Sequence, residues 1–225
     1  MTRIASTTRS SSTAPTPPPD ACSWQRVHAH VIAWHWTKHE TAHAYTQLLR
    51  KIAEPLCVVL DGGQGALTAI KACWPNAMIQ RCLVHAQRVI RRYTTSRPRT
   101  DAGKAIYALA LKLTRITTLD QARQWTLRLH DFGQVFKAFL NEKTPVPKER
   151  RALNNQWEWT HLWVRKAYNS LLHLSRNNWL FTYLQPPPNA LEPKRWASTT
   201  NSLEGLSDAG FWYRCSGDPV LLCSG

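Results

Sequence analysis

The run Cys57-Val58-Val59-Leu60-Asp61-Gly62-Gly63 closes four apolar residues with a carboxylate and two glycines. Read as a buried strand finishing in a loop, it puts Asp61 at the strand's carboxyl end, where open α/β sheets place ligands. The glycines let a backbone or a substrate come close, and a carboxylate held there can bind a hard divalent cation. The plainer alternative is an Asp that caps the turn behind it. Cys82 and His85 form a C-x-x-H pair flanked by Arg81 and Arg88. Zinc needs about four ligands, and no second pair stands at a suitable spacing. Cys82 therefore reads as a small buried residue and His85 as a polar residue bonding locally at a helix start. In Ser198-Thr199-Thr200-Asn201-Ser202-Leu203-Glu204-Gly205, Asn201 and Glu204 share a helix face through i, i+3 spacing.

Arg81, Arg88, Arg91, Arg92, Arg97 and Arg99 cluster around and after Cys82, and Arg88, Arg91 and Arg92 fit one face of a helix. They read as phosphate contacts that position DNA without reading its sequence, the alternative being a solvated helix face. Trp157, Trp159 and Trp163 have the ring faces to stack on exposed bases. Indoles in a helical block are more often core.

The elements that must position these residues follow from periodicity. Val27 to Trp36 alternates as a strand; Thr37 to Arg50 carries Ala42, Tyr45, Leu48 and Leu49 at helical spacing. With Cys57 to Leu60 this predicts a β-α-β unit. Ala66 to Cys73 is a short helix stopped by Pro75, Ala77 to Cys82 a brief strand, and a helix begins near Leu83. From Asp101 onward only helices are predicted. Ile106, Leu109, Ala110 and Leu113 mark one; Thr118-Leu119-Asp120-Gln121 is a capping box before Ala122, Trp125, Leu129, Phe132 and Phe136; a third spans Trp157 to Leu174. A last short helix is predicted from Ser198 or Thr199. The fold class is α/β, a mixed sheet with helices interrupted by an all-α insertion. The divisions are a disordered Ser/Thr/Pro-rich tail at 1–23, a core at 24–95, a helical insertion at 96–190, a returning core helix at 191–209 and an irregular tail at 210–225.

The 225 residues are 43% hydrophobic, enough to bury a core. Lys and Arg number 29 against 14 Asp and Glu, a net charge of +15, which favours polyanions and above all nucleic acid. A basic helical RNA-binding or ribosome-associated protein has the same balance. No stretch of 18 apolar residues is present, so no membrane span is predicted. The six cysteines lie at scattered spacings without a C-x-x-C pair and read as reduced cytosolic thiols.

The stretch VVLDGGQGALTAIKACWPNAMIQRCLVHAQRVIRRY, Val58 to Tyr93, resembles the second-carboxylate region of Mutator-like transposases of bacterial insertion sequences. In that family an Asp-Gly segment precedes a helix, a "WP" turn and R-C-x-x-H. TTNSLEG, Thr199 to Gly205, is similar to the segment bearing the family's final glutamate. The resemblance covers roughly residues 27 to 207. It implies an RNase H-like core, incomplete here, in which Asp, Asp and Glu hold two Mg²⁺ or Mn²⁺ ions for phosphodiester displacement. Asp61 would be the second ligand and Glu204 the third, with Cys82, His85 and Asn201 as motif residues. The first Asp belongs on an opening strand upstream of Val27, where this chain has its Ser/Pro tail, and Asp20 follows three prolines instead. The resemblance thus implies a transposase truncated at both ends, weak metal binding and no catalysis by the chain alone. Its implied partners are DNA at insertion-element ends, and a second copy or an intact transposase that it inhibits; its implied place is the bacterial cytoplasm, at the nucleoid.

Overall fold

The computed structural model describes residues 2–6, 30–37, 39–147, 156–185, 196–200 and 218–224. The chain forms two compact units, one from Met1–Cys82 with Gln185–Gly225 and the other from Leu83–Leu184.

The first unit holds a five-stranded mixed sheet. In chain order its elements are β1 (Thr2–Ser6), β2 (His30–Thr37), α1 (Ala42–Leu49), β3 (Cys57–Leu60), α2 (Gln64–Cys73) and β4 (Met78–Arg81), completed by the late strand β7 (Asp218–Ser224). The spatial order is β2-β7-β1-β3-β4. Strand β3 runs parallel to β1 and β4, whereas β7 runs antiparallel to β1 and β2. The predicted β-α-β unit is present as β2-α1-β3, with strands that are not adjacent. β2 and β3 point the same way, but β7 and β1 lie between them, and the adjacent crossover is β3-α2-β4.

Composition predicted no packing for the first 23 residues and an irregular segment after 210. The structure instead has β1 and β7 as neighbours inside the sheet, in register from Thr2 opposite Ser224 to Ser6 opposite Val220. The physical reason is long-range. All four residues of β3 are buried, so its backbone groups on both sides need ladder partners, and β1 supplies them along one flank.

Helices α1 and α2 cover β3 through Tyr45, Leu48, Leu49, Ala66, Ala69 and Ile70, which pack with Val58 and Leu60. Thr41 caps α1, its side chain accepting from the Ala44 N–H at 3.2 Å. Trp74 ends α2 as a buried plug and donates its indole N–H to Ile52 O at 3.3 Å. Gly65 lets the start of α2 lie close to the start of α1. A Cβ there would stand 2.9 Å from Glu40 O and 3.1 Å from Ala42 N. Gly65→Ala would gain up to about 1 kcal/mol of helix propensity. The clash is with main chain, which gives way poorly, and overpacking of that kind costs roughly 1–3 kcal/mol. Net destabilisation is therefore expected, read as a lower urea midpoint; a raised midpoint would show that the two helix starts separate freely.

The second unit contains α3 (Leu83–Thr94), α4 (Asp101–Lys112), α5 (Leu119–Val135), α6 (Lys137–Asn141), a small hairpin of β5 (Lys143–Pro145) and β6 (Trp157–Trp159), and α7 (Leu162–Arg176). Leu83, Ile90, Ile106, Leu113, Leu129 and Leu171 are fully buried in its core. α3, assigned by sequence to the α/β core, inserts Leu83, Ala86 and Ile90 here. Thr118 caps α5 as predicted, accepting from the Gln121 N–H at 3.2 Å, while the Gln121 side chain reaches back to the Thr117 N–H at 2.8 Å. The helix predicted from Trp157 starts instead at Leu162. Trp157-Glu158-Trp159 alternates and pairs antiparallel with Lys143–Pro145, a short ladder that large aromatic residues favour.

Candidate functional site

Asp61 stands at the carboxyl end of β3, partly exposed, and its Oδ1 accepts the Gly63 N–H at 3.1 Å. That bond is the turn-capping role, and it also opens α2, for which Gly63 is the N-terminal flanking residue. Gly62 adopts φ +106, a region that favours glycine. Arg81, at the end of the neighbouring strand and opposite Leu60 in register, lays its guanidinium where a Gly62 side chain would start. Its Nη1 also donates to Leu60 O at 3.4 Å. Gly62→Ala thus meets both a disfavoured dihedral, costing roughly 1–3 kcal/mol, and a displaced guanidinium. A fall in thermal midpoint of several degrees is expected, and Gly62→Asn, which tolerates positive φ better, is expected to fall less.

Cys82 follows β4 and has no solvent exposure. Its N–H donates to Leu60 O at 2.8 Å, extending the ladder beside β3. Its sulfur accepts from the Thr200 N–H at 3.3 Å and from the Thr200 hydroxyl at 3.4 Å, and Thr200 is equally buried. The stretch Trp196–Thr200 is thereby anchored to the sheet end that bears Asp61. Asn201 and Glu204, and the helix predicted to carry them, lie outside the described residues.

His85 occupies the first turn of α3, in the second unit. Arg88, Arg91 and Arg92 lie on α3 at i, i+3 and i+4 and are exposed, as are Arg97 and Arg99. Arg81 differs from them in being drawn inward over Gly62. The three tryptophans also depart from the core expectation. Trp157 and Trp163 are 54% and 57% exposed. Trp159 is covered by cations, with Arg165 at 3.8 Å and Lys143 at 4.8 Å from its ring centre, and Lys166 lies 4.8 Å from the Trp163 ring.

Among the described residues no three His, Cys, Asp or Glu side chains gather as a metal site. Asp61 brings one carboxylate with one oxygen already engaged, and a guanidinium lies against the next residue. A hard cation takes six or more oxygens, and Asp61 brings at most two of them. Cys57, Cys73 and Cys82 are free thiols. Burial pushes the Cys57 thiol from 9.0 up to about 12. With its proton kept in the folded state, Cys57 adds stability that is present below its ordinary value and lost as pH climbs towards 12. Iodoacetamide at about pH 8 is expected to label Cys73 before Cys57 or Cys82, since exposed thiolate is the reactive form; early labelling of Cys57 would contradict its burial.

The site thus consists of a strand-end carboxylate in a mixed α/β unit that is joined in sequence to a basic helical unit. The profile of the family described as "Transposase, Mutator family" matches residues 26–139. A "Probable transposase for insertion sequence element" from Corynebacterium diphtheriae is 32% identical over 160 residues, covering 70% of this chain and 36% of that protein. This chain belongs to the Mutator family of transposases. It spans little more than a third of the length of the curated relative it matches. No solved structure matches it. Among the described residues no helix is long and apolar enough to cross a membrane.

Proposed function

We propose that this chain is a DNA-binding form of an insertion-element transposase, built on an RNase H-like core and not catalytic on its own. In this reading Asp61 and Glu204 are the second and third carboxylates of a set that holds Mg²⁺ or Mn²⁺ for DNA strand cleavage and transfer. The carrying observation is the anchoring of Thr200 on Cys82, next to the end of β3. From Thr200 only four residues lead to Glu204, at most roughly 14 Å of extended chain and about 6 Å if helical. Such a reach supports a meeting with Asp61 despite the long separation in sequence.

The incapacity rests on β1. It fills the position beside β3, so the sheet has a strand there, but its residues are Thr2, Arg3, Ile4, Ala5 and Ser6, with no acid among them. Two carboxylates without a third bind Mg²⁺ weakly, because such sites lean on substrate phosphates to complete the octahedron. The exposed arginines of α3 and the cation-flanked tryptophans support contact with nucleic acid.

The test is incubation of the purified chain with DNA bearing the element's terminal repeats in Mn²⁺. Retarded DNA without nicks is the expected result. Nicking abolished by Asp61→Ala would show a competent enzyme and overturn the incapacity. Nicking that survives this substitution would remove Asp61 from the mechanism.

A further inference from the structure

Thr200 presents two donors, its N–H and its hydroxyl, inside the protein, and both go to one atom, the sulfur of Cys82, 118 residues earlier in the chain. The same cysteine is tied through its main chain to Leu60, the residue before Asp61. A buried donor is costly to leave unmade, so the register between these segments is fixed twice over. A thiol suits the position because it is small, tolerates burial and accepts weakly from more than one direction.

We infer that Cys82 is a positioning residue, whose sulfur holds Thr200 at the end of β3 that bears Asp61. This rests on the reading of Asp61 and Glu204 as partners, and it gives the cysteine of R-C-x-x-H a task other than metal ligation.

The experiment is amide hydrogen exchange on the full chain, free of metal and DNA, for the wild type and for Cys82→Ala, Cys82→Ser and Thr200→Val. The Thr200 amide is expected to exchange at least about tenfold faster in Cys82→Ala, with the amides of β3 and α1 unchanged, since opening here is local. Cys82→Ser, which restores an acceptor, is expected to bring protection back. Unchanged Thr200 exchange in Cys82→Ala would overturn the proposal. So would a Ser variant that exchanges as fast as the Ala variant, because filling of space rather than hydrogen bonding would then be the role. If Cys82→Ala does not fold, Thr200→Val carries the test. It keeps the N–H and loses only the hydroxyl, and faster exchange of the Thr200 amide, with β3 and α1 unchanged, is expected; wild-type exchange there would overturn the proposal. Mn²⁺ titration of Asp61→Asn, read by electron paramagnetic resonance, judges the carboxylate pair separately. Affinity unchanged by that substitution would remove the pair and leave the tether to be decided by exchange alone.

Discussion

Affinity for duplex DNA is expected to fall steeply with salt and to lose much of that steepness when Arg88, Arg91 and Arg92 are replaced together by Gln. All three are exposed on α3, and if each neutralises one phosphate they contribute about −2.7 to the slope of log K against log salt. Across a fourfold rise in salt that is about a fortyfold loss of affinity. Gln keeps the helix propensity of Arg nearly intact, so a changed slope reports charge and not unfolding. A triple variant with the wild-type slope would take α3 out of the interface. Structured RNA bound more tightly than duplex DNA would favour the basic RNA-binding reading instead.

The largest expected effect on stability belongs to Trp125. Its side chain is buried and meets Phe181 edge to face, with ring centres 5.5 Å apart. Its indole N–H donates to Leu109 O at 2.8 Å. That carbonyl lies in the last turn of α4, where helical carbonyls lack ladder partners. The Leu113 N–H, which would serve it in a longer helix, bonds to Ala110 O. Trp125→Ala removes both the packing and the donor, and about 3–5 kcal/mol is expected to be lost. Such a loss is a large part of the 5–15 kcal/mol that typically holds a domain. Trp125→Phe keeps an aromatic ring but abandons the Leu109 carbonyl, for a smaller loss of about 1–3 kcal/mol. Urea unfolding of the two variants separates the terms, and equal losses would mean that the aromatic packing kept in Trp125→Phe contributes nothing.

Where a segment's own pattern decides its structure, the sequence was readable. β3 is an unbroken apolar run, Thr118 announces its helix, and α5 turns Ala122, Trp125, Leu129 and Phe132 inward as their spacing requires. Asp61 was placed correctly at its strand end by the same local logic. What stayed hidden depends on partners far along the chain. Nothing in Thr2–Ser6 points to β3, and nothing in Asp218–Ser224 points to a place between β1 and β2. The alternation of Trp157-Glu158-Trp159 is invisible beside the helical pattern that follows, because three residues are too few to show a period. The sulfur of Cys82 has its function only once Thr200 arrives, and burial was the most its neighbours could announce. Charge alone groups Arg81 with the exposed arginines, although the glycine at Gly62 leaves room for it to turn inward.

The position of β1 between β3 and β7 has a kinetic consequence. Ladders that join Thr2 to Val58 and to Ser224 close very long loops, and chains rich in such distant pairings fold slowly. The helices of the second unit close their backbone hydrogen bonds locally and can form early, ahead of the packing of α3 on the distant α7. During refolding the helical signal should therefore recover first, with the sheet maturing behind it and its unpaired edges open to aggregation in the interval.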